Sequence, residues 1–211
     1  MHKLPIMCYN IREETNMLRR DFIMKKLVPG TLYRRSELEL FSTSVDRHIG
    51  QLVKDGSLKK VGPGLYLRPE RNKWGEAPAD DKSLVTSFLK DDRFLLYSYN
   101  SYNGLGLGTT QLYSNTVVYN HKRHGKFKLG NRTFDFRMKP NFPEEFTKDN
   151  LLVDMLNNLS ELAEDEDKIL FNLRLKLSSF NRRELENAGN LYGKVKTKKL
   201  LKELYGKKTT P

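Results

Sequence analysis

In the first 68 residues, apolar positions recur at helical spacing in two stretches and then give way to turn residues. Leu18, Phe22, Ile23 and Leu27 lie on one helical face, behind Asn10 and Glu13 at the spacing of a capping box. They predict a first helix, ended by Pro29-Gly30. Ser36 with Glu39 predicts a short second helix through Phe41, and Thr43 with Asp46 a third that runs to Asp55. In the third, Val45, Ile49, Leu52 and Val53 share one face; Ser44, Arg47, His48, Gln51 and Lys54 lie elsewhere on its surface. Gly56 is placed as its C-cap, where glycine accepts a left-handed backbone. Two extended segments, 57–61 and 65–68, flank Gly62-Pro63-Gly64, a sequence suited to a tight turn. Helix, short helix, tight turn, helix and β-hairpin is the order of a winged helix-turn-helix.

Residues 69–82, with Pro69, Pro78 and many charges, read as a linker. A helix is expected over 84–89, then a strand or loop from 94 and a short helix ending near Gly104. Strands are expected over 116–120, 126–129 and 133–137, with Gly130-Asn131 as a hairpin turn. From Asp149 the period becomes helical: Leu152, Met155, Leu159 and Leu162 form one stripe, and helices follow over 169–177, 183–190 and 194–205. The expected fold class is α+β. A winged helix-turn-helix (1–68) and the linker (69–82) precede a mixed domain (83–211) with a small antiparallel sheet and a helical C-terminal part.

Composition narrows the class. Ten Tyr and eleven Phe in 211 residues supply core material and argue against wholesale disorder. No apolar run approaches the roughly 18 residues of a membrane span, and residues 1–5 lack the apolar stretch of a signal peptide. Cys8 is the single cysteine, so no intrachain disulfide forms. A cytoplasmic protein with no membrane partner is expected. The net charge of +12 favours a polyanion or an acidic protein surface as partner. Its distribution is uneven: residues 141–167 hold one basic and nine acidic side chains, and residues 168–211 twelve basic and three acidic.

A DNA reader needs a helix with an apolar face for anchorage and reaching polar groups on the other. Residues 43–54 meet that requirement. Arg47 can bond guanine bidentately and Gln51 adenine, with His48 and Lys54 beside them. Ser42, Thr43 and Ser44 sit at the helix start, where hydroxyls and backbone N–H groups suit phosphate. Lys59, Lys60 and Arg68 fall on the hairpin, and Arg34 and Arg35 precede the second helix, where they can clamp a flanking phosphate. A second basic surface is expected on the last helix, from Lys194, Lys196, Lys198, Lys199 and Lys202, with Leu200, Leu201 and Leu204 grouped on the opposite side. The plain alternatives are a winged helix used as a protein-binding platform and a solvated lysine face.

The run from Arg47 to Tyr66, above all Leu52-Val53-Lys54-Asp55-Gly56 and Gly62-Pro63-Gly64-Leu65-Tyr66, resembles the N-terminal winged helix of AbiEi-type antitoxins. Gly104-Leu105-Gly106-Leu107-Gly108-Thr109-Thr110-Gln111 is similar to a step of the same family, Val117-Val118-Tyr119 and residues 130–137 to its following hairpin, and residues 185–204 to its C-terminal helices. The resemblance implies an antitoxin of a type IV toxin–antitoxin system that represses its own operon by binding inverted repeats. Two copies would pair cooperatively on two half-sites. The toxin partner it implies is nucleotidyltransferase-like and is counteracted without an obligatory stable complex. Antitoxin activity would lie in the C-terminal domain. The alternative is an antitoxin that caps its toxin directly.

Enzyme chemistry finds little support. Gly104-x-Gly106-x-Gly108 lacks the spacing and the helix start of a dinucleotide loop. His121 and His124 have no cysteine or paired carboxylate nearby for zinc, and Cys8 has no histidine placed to activate it. Asp165-Glu166-Asp167 reads as a helix end. No cofactor, metal or catalytic residue is expected. An RNA-binding regulator is the weaker third reading, because the aromatics fall in core elements without a stacking platform.

Overall fold

The computed structural model describes residues 20–73 and 75–206. The chain is mixed α+β, with small sheets followed by C-terminal helices. It divides into two compact units, residues 1–92 with 128–132, and residues 93–127 with 133–211. The helix over 81–89, expected in the second domain, groups with the first unit.

In the first unit, residues 20–26 form helix α1; Ile23 on it and Leu27 just past its end are buried. Phe22, expected on the same face, is 51% exposed. Asn10, Glu13 and Leu18 lie outside the described residues. Strand β1 (Leu32–Arg34) follows, then α2 (Arg35–Leu38), a single 3-10 turn (Glu39–Phe41) and α3 (Val45–Lys54). Strands β2 (Lys59–Gly62) and β3 (Leu65–Leu67) form an antiparallel hairpin, and β1 adds on the far side of β3. β1 was not anticipated, because three residues are too few to show a period. Leu38, Val45, Ile49, Leu52, Leu58 and Tyr66 fill the core beneath.

Of two expected capping boxes, one is replaced by another and one is absent. The backbone N–H of Arg34, rather than that of Ser36, bonds the Glu37 carboxylate at 2.8 Å and opens α2. Asp46 does not cap α3; its carboxylate takes two bonds from Arg35, at 2.7 and 2.6 Å. At the other end Gly56, at φ +76°, turns the chain out of α3 as expected, and Leu58 N–H returns to the Leu52 carbonyl at 2.8 Å. Residues 69–82 are not featureless: β4 (Glu70–Asn72) pairs antiparallel with β5 (Gly75–Ala77), and Asp80 caps α4 (Asp81–Leu89).

The second unit is built on the order β6-β7-β9-β8. β6 (Phe94–Ser98) runs antiparallel to β7 (Thr116–Asn120), but β7 is parallel to β9 (Arg132–Met138). The expected antiparallel sheet is therefore mixed. β8 (Gly125–Leu129) lies outside β9 at the edge, so β9 is the strand that reaches β7. The stripe Leu152, Met155, Leu159 and Leu162 is buried as expected, the first two residues on α5 (Lys148–Asn158). Helices α6 (Glu166–Lys176), α7 (Arg182–Tyr192) and α8 (Val195–Gly206) complete the unit. Side-chain oxygens of Thr147, Asp165 and Asn181 cap α5, α6 and α7. Among the described residues no helix is long and apolar enough to cross a membrane.

Candidate nucleic-acid interface

α3 is amphipathic. Val45, Ile49 and Leu52 anchor one side, and Arg47, Gln51 and Lys54 are exposed on the other. Val53, expected on the apolar face, is only half-buried. At the start of the helix, Thr43, Ser44 and Arg47 border a cleft of about 340 Å3. The positive dipole end of a ten-residue helix favours an anion there, against the carboxylates of Glu39 and Asp46 that share the lining. Lys59 and Lys60 are exposed on β2; Lys59 also lies 3.5 Å from Glu76.

Five of the residues assigned to DNA by sequence have work inside the unit. His48 is fully buried, contrary to its expected place on the surface, and its Nδ1 lies 2.7 Å from the Ser42 hydroxyl. The same Ser42 oxygen accepts the Ser44 N–H at 3.0 Å, so it fixes the turn into α3 rather than facing solvent phosphate. Arg34 is half-buried and donates from Nε to the Ser87 carbonyl at 2.9 Å, tying β1 to α4. Arg35 is half-buried, and its guanidinium donates to Asp46 and Glu39. The hydrogen bonds it donates to Asp46, then to Glu39, push its pKa further up, and the bond from Arg35 holds the Asp46 carboxyl below its ordinary value. Arg68 donates to the carbonyls of Met24 and Leu27 at the end of α1. What stays exposed is Thr43 and Ser44 just before α3, Arg47, Gln51 and Lys54 on it, and Lys59 and Lys60 on the hairpin.

The expected lysine face of α8 is also divided. The Lys194 backbone N–H bonds Asn157 Oδ1 at 2.7 Å and its Nζ bonds the Asn157 carbonyl at 2.8 Å, near the C-terminus of α5. Lys198 donates to the Asn190 carbonyl of α7 at 2.9 Å. Lys196, Lys199 and Lys202 are exposed.

A polar cluster in the second unit escaped sequence reading. Asp154, 5% exposed on α5, accepts from the hydroxyls of Tyr97 (2.7 Å), Tyr102 (2.7 Å) and Tyr119 (2.8 Å). Asn158, one turn on, donates to Tyr102 and Tyr119, each at 3.1 Å. Lys139 Nζ lies 3.4 Å from Asp154 and 3.5 Å from the centroid of the Tyr119 ring. Burial, then the Asp154 charge, pushes the three tyrosine hydroxyls well above their ordinary value, and burial pushes the Lys139 ammonium down. The aspartate has the donors a buried carboxylate requires. The only local signal was a polar Asp154 between apolar Val153 and Met155. Among the described residues no three of His, Cys, Asp and Glu converge as a metal set.

No family model matches the chain, and no curated protein matches it.

Proposed function

We propose that the first unit is a winged helix-turn-helix that reads operator DNA, with α3 in the major groove and the β2–β3 hairpin along the backbone. The observation that carries the reading is the shared exposure of Arg47, Gln51 and Lys54 on α3 and Lys59 and Lys60 on the hairpin. The order helix, strand, helix, helix, hairpin with a three-stranded β1-β3-β2 sheet supports it. Arg47 and Gln51 read base edges; Thr43, Ser44, Lys54, Lys59 and Lys60 hold phosphate. Two copies occupy the half-sites of an inverted repeat and occlude the promoter. On the resemblance to AbiEi-type antitoxins, the DNA is the chain's own upstream region, and the second unit carries the antitoxin activity against a nucleotidyltransferase-like toxin.

The test is a gel-shift titration on DNA upstream of the gene and on a scrambled duplex of equal length, at two salt concentrations. Specific operators are bound at least about 10³-fold more tightly than random sequence at physiological salt. Equal affinity for both duplexes, lost together as salt rises, would reduce the binding to the charge of +12 alone and end the operator reading.

A further inference from the structure

Helix α6 is apolar on two sides. Ile169 and Leu173 point into the core of the second unit, while Phe171 and Leu175, one turn apart, are 57% and 67% exposed. An exposed apolar stripe beside a cleft marks an interaction surface. Two clefts adjoin it. One, of about 440 Å3, is floored by Leu156, Leu159, Leu170 and Leu200. The other, of about 680 Å3, is floored by Leu175, Leu177, Phe180, Leu200 and Leu204. Leu200 and Glu203 of α8 border both, so the two form one extended groove between α6 and α8.

The rim decides what fits. Arg174, Arg182, Lys194, Lys196 and Lys199 line it, against Glu166 and Glu203. All five cations are exposed; Arg182 is paired with Glu186 at 2.9 Å and Lys194 serves Asn157, so Arg174, Lys196 and Lys199 are the ones assigned to a partner at the edges. We infer that this groove docks an amphipathic helix of a partner protein, with apolar side chains at positions i, i+3 or i+4 and i+7 seated on the leucine floor and acidic side chains facing the basic rim. The apolar floor supplies affinity and the rim selects the sign of the partner. The inference stands on the second unit and does not rest on the DNA reading of the first.

The experiment uses the full chain and a fluorescein-labelled four-turn peptide with leucines on one face and glutamates on both flanks. Its controls are a scrambled peptide of the same composition and a version with lysine for every glutamate. Fluorescence anisotropy is expected to saturate for the acidic amphipathic peptide in the micromolar range, and to be at least about tenfold weaker for both controls. Leu175→Asp and Lys199→Glu, both at exposed sites that leave folding intact, are each expected to weaken it by about tenfold. Equal binding of the scrambled peptide, or none by the acidic one, overturns the inference. Sedimentation that shows a dimer abolished by Leu175→Asp would assign the groove to a second copy instead, and partition onto anionic vesicles abolished by the same change would assign it to a lipid surface; either result also overturns it.

Discussion

Arg68 and Lys60 both belong to the sheet region and carry the same charge, yet the structure gives them opposite tasks. Arg68 donates to the carbonyls of Met24 and Leu27, and its own backbone bonds Thr31 and Gly30 at 3.0 and 2.8 Å. Charge-assisted bonds to carbonyls are worth about 1.5–3 kcal/mol when dry. The side chain is half-exposed, so water replaces part of what Arg68→Ala removes, and the expected loss is about 1–2 kcal/mol for the pair. For a unit of this size that lowers the melting midpoint by about 5 °C or more. Lys60 is exposed, and its removal should leave stability within about 0.5 kcal/mol. It should act on DNA instead. With Lys54, Lys59 and Lys60 on phosphate, log K should fall with log salt at a slope of about −2.7 per copy, and Lys60→Ala should reduce it to about −1.8. Thermal unfolding by circular dichroism and anisotropy titrations at four salt concentrations separate the two effects. An Arg68→Ala protein with an unchanged midpoint and a flattened salt slope would refute the assignment.

Arg47→Ala should cost about 1–3 kcal/mol of operator affinity and relax base choice at one position, read by titrating single-base operator variants. Asp154→Ala should destabilise the second unit by about 3–5 kcal/mol in urea unfolding, because it strands three tyrosine hydroxyls and the half-buried Lys139. The raised hydroxyls of Tyr97, Tyr102 and Tyr119 predict alkaline instability. Their contribution is full below the unfolded value of about 10 and falls as pH rises past it, since only the unfolded chain ionises there. Absorbance at the tyrosinate band should therefore show fewer than the ten tyrosines of the chain titrating before the protein unfolds. Gly193→Ala should destabilise the α7–α8 corner, since an added Cβ would lie 2.4 Å from the Gly189 carbonyl oxygen; a midpoint equal to that of the unsubstituted chain would contradict the packing.

Local rules determined much of this protein. The period of Leu152, Met155, Leu159 and Leu162, the exit at Gly56 and the hairpin glycines each depend on neighbours within a turn or two, and the structure keeps them. Partner choice over long distances was not legible. Arg34 reaches Ser87, Arg68 reaches Met24, and Asp154 gathers tyrosines from two strands and a 3-10 turn, across separations of 35 to 57 residues. A long polar side chain carries the same sequence signature whether it meets phosphate or a carbonyl of its own chain. His48 makes the point on a single helix. The period sets it one residue from Ile49, but only the packed turn at Ser42 decides that it lies inside. The parallel pairing of β7 with β9 has the same origin: strand propensity fixes which residues extend, whereas the order β6-β7-β9-β8 depends on contacts between residues far apart in the chain.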